Sequence, residues 1–195
     1  GTGSLTKNDA GTLTLSGANT YTGSTTINGG TLALSANNRL SNSTNVLING
    51  ATLDLGTFTD TVGTVTLTNG GSITGSGTGA LTGSSYAVTS GNISAILAGS
   101  GALTKTSAGT LVLTGANTYS GGTAIEAGTL QVGAGGTAGS LSSSGTIVNH
   151  GALVYNLSSN PTVSSTITGS GSLTQAGSGT LTLSGTNSFT GGVTV

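Results

Sequence analysis

GSLTKNDAGTLTLSGANTYTGSTTI, residues 3–27, decides how this chain is read, because the chain writes it three times. Residues 101–125 are GALTKTSAGTLVLTGANTYSGGTAI and residues 171–195 are GSLTQAGSGTLTLSGTNSFTGGVTV, and the copies align without a gap. The shared frame opens with Leu5/Leu103/Leu173 and Gly11/Gly109/Gly179. The leucine pairs Leu13 and Leu15, Leu111 and Leu113, Leu181 and Leu183 follow. Then come Gly17/Gly115/Gly185, Asn19/Asn117/Asn187, the rings Tyr21/Tyr119/Phe189, Gly23/Gly121/Gly191 and Ile27/Ile125/Val195. In Thr12-Leu13-Thr14-Leu15 polar and apolar residues alternate with the two-residue period of a strand, so Leu points inward and Thr outward. Gly and Asn between such strands are the residues of corners, where positive φ is often required.

A smaller module recurs around these blocks. INGGTLAL (27–34), INGATLDL (48–55), IEAGTLQV (125–132) and VNHGALVY (148–155) each place an Asn- or Gly-rich turn before a short alternating strand, and LTNGGSI (67–73) is a looser relative. No unit is large enough to bury a core alone. Self-similarity on this scale marks a solenoid, in which each coil covers its neighbour and pairs its backbone with it. At roughly 20–25 residues per coil the chain makes about eight or nine coils. At the ~4.8 Å strand spacing the rod is roughly 40 Å long. The stretches 35–45 and 133–145 read as longer loops leaving the solenoid, and no domain boundary interrupts 1–195.

Composition supports this reading and removes others. Charged residues make up 4% of the chain, against about a quarter in an ordinary soluble domain. Gly- and Ser-rich chains are often disordered, but here 33% of residues are hydrophobic and regularly spaced. Gly, Thr, Ser and Asn are poor helix formers, and no apolar stripe runs at helical spacing. The absence of Cys excludes a disulfide scaffold and a thiolate metal site. A net charge of −1 gives no electrostatic footprint for nucleic acid. No apolar run is long enough to span a bilayer as a helix. There is neither an initiating Met nor a signal peptide, the pattern of a mature chain or a part of a longer one.

The segments 11–34 and 109–132 closely resemble the autotransporter-associated β-strand repeat of bacterial passenger regions, and 179–195 matches as far as it runs. The resemblance covers about a third of the chain directly. It implies an all-β fold, a right-handed parallel β-solenoid displayed outside the cell as an adhesin or stalk, and it transfers no catalytic residue. The alternating segments with aromatic girdles that would mark a translocator barrel do not occur in the 195 residues. Neither end shows a polar or helical cap, and open coil ends expose strand edges. Adjoining repeats would cover them in a longer chain; alternatively, copies of this chain would stack end to end into a filament.

Residues able to do chemistry are few. Asp54 aligns with outward strand positions and Glu126 with turn asparagines, so both read as solvated. Asp54 and Asp60 are the nearest acidic neighbours, with no basic partner to set their pKa values apart. His150, the single histidine, falls in a turn and builds no Ser–His–acid set. Lys7 and Lys105 share one position, with Gln175 in the third copy, and read as solvent-facing, as does Arg39. Gly75-Ser-Gly77-Thr-Gly79 lacks the Asp of a calcium β-roll and the Lys of a phosphate loop. The rings Tyr21, Tyr119 and Phe189 read as packing residues that stack into a ladder or cover a coil edge. The Thr-x-Thr pairs lack the coil-after-coil regularity of an ice-binding array. The expected function is therefore structural and non-enzymatic, with no cofactor or metal. Its partners are the chain itself, adjoining repeats or surface glycans. A carbohydrate-binding or carbohydrate-cleaving β-helix is the alternative, and alanine replacement of Asp54, Asp60 and His150 is its test.

Overall fold

The computed structural model describes residues 1–195 and contains strands but no helix. All ladders are parallel. The first face is a sheet of nine strands from Leu5–Lys7 to Ile167–Thr168, and the second a sheet of ten from Thr12–Leu15 to Val193–Thr194. A third face carries Thr59–Thr61, Ala80–Thr82 and Ile96–Ala98, and later Thr162–Val163 against Thr182–Leu183. The chain visits the faces in turn and makes ten coils. That exceeds the expected eight or nine because a coil takes close to 20 residues, as in the pairings Leu53↔Ile73↔Ile93↔Leu113.

The alternation seen in sequence is what the strands obey. Thr64–Thr68 and Ala152–Tyr155 bury every second side chain, and the inward set forms one core of 33 residues. Corners stack as regularly as strands: 54 of the 104 backbone hydrogen bonds lie outside regular strand pairing. Gly50 and Gly128 turn the chain from first face to second at φ +62° and +72°, where a side chain would be strained.

The stacking order is not the order of the repeat alignment. Leu13 heads a column that runs Leu32, Leu53, Ile73, Ile93, Leu113, so it stacks with Leu113 rather than with its sequence equivalent Leu111. The column of Leu111 descends instead to Gly91 and Gly71. This two-residue slip keeps every side chain on its proper side, which a one-residue slip would not. The third copy departs further. Leu103 lies on the first face, paired with Tyr86 and Thr123, whereas its equivalent Leu173 lies on the second, paired with Leu153 and Val193.

Position in the stack decides burial. Ile27, Leu111, Leu113, Tyr119 and Ile125 are buried, while Leu15, Leu181, Leu183 and Phe189 are partly covered. Leu13 in the first coil and Val195 at the last are exposed, Val195 at 99% against 0% for Ile27 and Ile125. Residues 35–45 do not leave the solenoid as expected. Their coil takes 21 residues from Thr25 to Val46, Leu40 and Thr44 are buried, and Asn38 donates its backbone N–H to Thr59. The coil containing 133–145 is longer, 24 residues from Thr123 to Ile147, and Ala134–Ala138 stand exposed.

Candidate functional surface

With no charge cluster inside or out, the surface is built of amides and hydroxyls. At the corner between first and second faces, asparagine amides form a ladder. Asn28 donates to Asn8 (3.0 Å), Asn49 to Asn28 (3.3 Å) and Asn69 to Asn49 (2.6 Å). Ser90 extends it by accepting the Gly70 N–H at 3.1 Å. Further along the same corner Glu126 and His150 follow the paired residues Ile125 and Asn149, and His150 Nδ1 lies 3.3 Å from Ser170 Oγ. All three side chains are exposed, so this column is a solvated edge and not a water-excluded site of the kind acid–base or acyl chemistry uses.

The third face uses side chains where strand pairing lapses. Asn117 Oδ1 accepts the Leu97 N–H of the preceding coil (2.9 Å), and Nδ2 donates to Gly115 of its own coil and to Ser140 of the next. Asn187 repeats this toward Ile167 and Gly185, and Asn19 toward Gly17 and Arg39. The Asn of the repeat is thus a clamp between coils.

Several charged residues turn inward. Asp60 is not at the surface: it is 1% exposed and occupies an inward position beside Leu81. Its Oδ2 accepts the backbone N–H groups of Arg39 (2.7 Å) and Leu40 (2.9 Å) from the coil before. Burial raises its carboxyl pKa against the opposing pull of those bonds. Asp54 remains on the outer side, accepting from Gly56 N–H and the Thr74 hydroxyl. Asp54 and Asp60 therefore occupy different faces and form no carboxylate pair.

Lys105, read from the sequence as solvent-facing, is a correction. It lies in the inward column Val88–Lys105–Ile125 and is fully buried. Its Nζ donates to the carbonyls of Ser107 and Ala127, and burial lowers its pKa. Lys7, half-buried, does the same with Asp9 and Gly29. Gln175 Nε2 bonds Gly177 (3.1 Å) and Gly179 (2.8 Å). The shared chemistry is donation to turn carbonyls, which neither charge nor alternation announces; the Lys/Lys/Gln substitution is the one sequence signal for it. Lys105→Gln is accordingly expected to hold the urea midpoint close to that of the parent. Lys105→Ala leaves both carbonyls unpaired and should cost ~2–3 kcal/mol.

Asn149 escapes the alignment too. Ile125 pairs with Asn149, not with Val148, because the turn from Asn149 to Ala152 is one residue shorter than that from Ile125 to Thr129. Asn149 is thereby fully buried, donating to the Ser172 carbonyl and accepting from Gly151 N–H. The repeat rings do not form a ladder with one another. Tyr119 meets Tyr86, which lies outside the repeats, at 6.3 Å between centroids and 54° between planes. Tyr21 and Tyr119 instead share a local bond, each hydroxyl 2.7 Å from the Thr four residues on. Tyr155 lines a cavity of about 60 Å³ with Ser142, Pro161 and Ser165. Its buried hydroxyl and that of Ser165 have no hydrogen-bond partner.

Residues 5–34, 103–132 and 173–195 match the passenger-associated-transport-repeat family. The chain is also similar to the adhesin BmaC autotransporter of Brucella suis biovar 1 (strain 1330), with 45% identity over 138 residues. That match takes in 70% of this chain and 4% of the relative. No solved structure matches it. Three repeats matching this family are thus wound into one all-β parallel solenoid, similar to the autotransporter-associated β-strand repeat proteins.

Proposed function

We propose that the chain is a rod segment of a cell-surface passenger, serving as stalk and adhesive surface, with no enzymatic activity. The observation that carries this reading is the uninterrupted ladder of coils, whose outer faces gather no acid–base set, while one core of 33 hydrophobic residues fills the interior with few buried polar groups among them. The similarity to an autotransporter adhesin supports the extracellular placement. A stalk needs coils that add without limit. The apolar cavity of about 260 Å³ at the last coil, lined by Leu173, Leu181, Leu183 and Val193, is the surface a further coil would cover.

Electron microscopy of the purified chain at micromolar concentration, without chaotrope, tests it. Single rods of roughly 45–50 Å, ten coils at ~4.8 Å each, are expected, with a tandem two-copy chain giving rods twice as long. Round particles whose length does not grow in the tandem chain would overturn the stalk. Long fibres from the single chain would replace it with a filament subunit whose coils pair across molecules. Release of reducing sugar from polysaccharide would exclude the non-enzymatic reading.

A further inference from the structure

Asparagine is a structural residue in this protein, and that makes the exceptions informative. Of 15 asparagines, 11 engage the side-chain amide in hydrogen bonds: the ladder of Asn8, Asn28, Asn49 and Asn69, the clamps Asn19, Asn117 and Asn187, and Asn37, Asn45, Asn149 and Asn160. A twelfth, Asn38, serves through its backbone, at φ 56°. The side chain of Asn38 makes no bond, and neither do those of the other three: Asn42, Asn92 and Asn156. Each of these last three, and no other asparagine in the chain, begins an Asn-x-Ser/Thr triplet without Pro: Asn42-Ser43-Thr44, Asn92-Ile93-Ser94 and Asn156-Leu157-Ser158. That triplet is the acceptor signal for N-linked glycosylation.

From this coincidence we infer that Asn42, Asn92 and Asn156 are glycan acceptors. Asn42 lies exposed in the turn 41–44, and Asn92 is the exposed residue of Gly91–Ile93, standing outward on the second face. Asn156 is half-buried just after Ala152–Tyr155. A sugar on any of them displaces no bond that holds coils together, whereas a sugar on Asn28 or Asn117 would break the ladder or a clamp. The donor is an activated sugar phosphate. Its C1–O bond to phosphate breaks, C1 bonds to Asn Nδ2, one Nδ2 proton passes to a base of the transferase, and the nucleotide or lipid phosphate leaves.

The order of events follows from the rest of each triplet. Thr44 is fully buried, with its hydroxyl donating to the Gly23 carbonyl at 2.7 Å, and Ile93 and Leu157 are core residues. An enzyme that must grip the whole triplet reaches these sites only before the coil closes. Transfer therefore precedes folding, and the folded rod carries the sugars on its outer side.

Peptide mapping by mass spectrometry of the full chain, recovered from the surface of the cells that make it, is the test. Sugar mass on peptides holding Asn42, Asn92 and Asn156, and on none of the bonded asparagines, is expected. A single monosaccharide points to a nucleotide-sugar donor and a fixed oligosaccharide block to a lipid-linked one. Asn92→Gln should remove one increment and leave the urea midpoint unchanged. An unmodified mass, sugar confined to Ser and Thr, or sugar on ladder asparagines would overturn the inference.

Discussion

Between pH 10 and 12 the solenoid is expected to unfold cooperatively, with tyrosinate absorbance and loss of the β signal in circular dichroism rising together. Burial pushes the phenols of Tyr86 and Tyr119 up to about 12, and that of Tyr155 is raised further. The folded state thus keeps phenolic protons that the unfolded chain releases from about pH 10. The stabilisation is complete below pH 10 and is lost as pH rises through the folded values. For Tyr86 and Tyr119 the loss is roughly 2–3 kcal/mol each by pH 12, a large part of a typical stability of ~5–15 kcal/mol. The three hydroxyls should not respond alike to removal. Tyr86 OH accepts the Gly83 N–H at 2.6 Å and lies 2.6 and 2.7 Å from the Leu81 and Ala98 carbonyls, so Tyr86→Phe should cost ~1–3 kcal/mol at pH 7. Tyr155 OH has no partner. Tyr155→Phe should be nearly neutral at pH 7 and should move the alkaline midpoint upward. Tyrosinate forming near pH 10 in a chain that keeps its β signal would refute this account.

Gly115→Ala is expected to lower stability by several kcal/mol, while the same change at the equivalent Gly17 leaves it within ~0.5 kcal/mol. A Cβ on Gly115 would stand 2.2 Å from the Ala95 carbonyl oxygen and 2.8 Å from its carbon. Both are backbone atoms of the preceding coil and have no rotamer with which to retreat. Either the coils part locally, stretching hydrogen bonds such as Thr114 N–H to Ile93 and Thr118 N–H to Leu97, or the core beneath is strained. Gly17 meets nothing within 4 Å, because no coil of this chain lies under it. Gly185 is again close, 2.5 Å from the Ser165 oxygen. Thermal or urea unfolding of the two alanine variants decides the matter. Equal losses at Gly17 and Gly115 would mean that the repeat glycine serves the turn, not the approach of coils.

Strand positions, inward parity and the solenoid itself could be read from Leu13-x-Leu15 and its copies, since alternation is a local property of the chain. Which leucine stands on which could not. Nothing in GTLTL or GTLVL records that Leu13 joins the column of Leu113; that depends on Gly71 and Gly91 filling the neighbouring column with no side chain at all. Asp60, Lys105 and Asn149 were illegible for a related reason. Each takes an inward position because its polar atoms reach backbone groups of the same or an adjacent coil, and those groups become neighbours only when the coils stack. The surface was easier to read, since Asp54, Glu126 and His150 lie on outer positions where the sequence frame puts them.

The third repeat, set one face further round than the first two, carries a lesson about growth. Copies one and two begin 98 residues apart, near five turns of about 20; copies two and three begin 70 apart, which is no whole number of turns. One stretch of sequence has therefore been fitted to two different walls of the same rod. A screw thread accepts a nut at any starting angle, and this fold accepts a duplicated cassette in much the same way, provided only that inside and outside are preserved. Lengthening such a protein then requires no alignment of the insertion with the turn, so unequal recombination within its gene can yield rods of many lengths that all still wind.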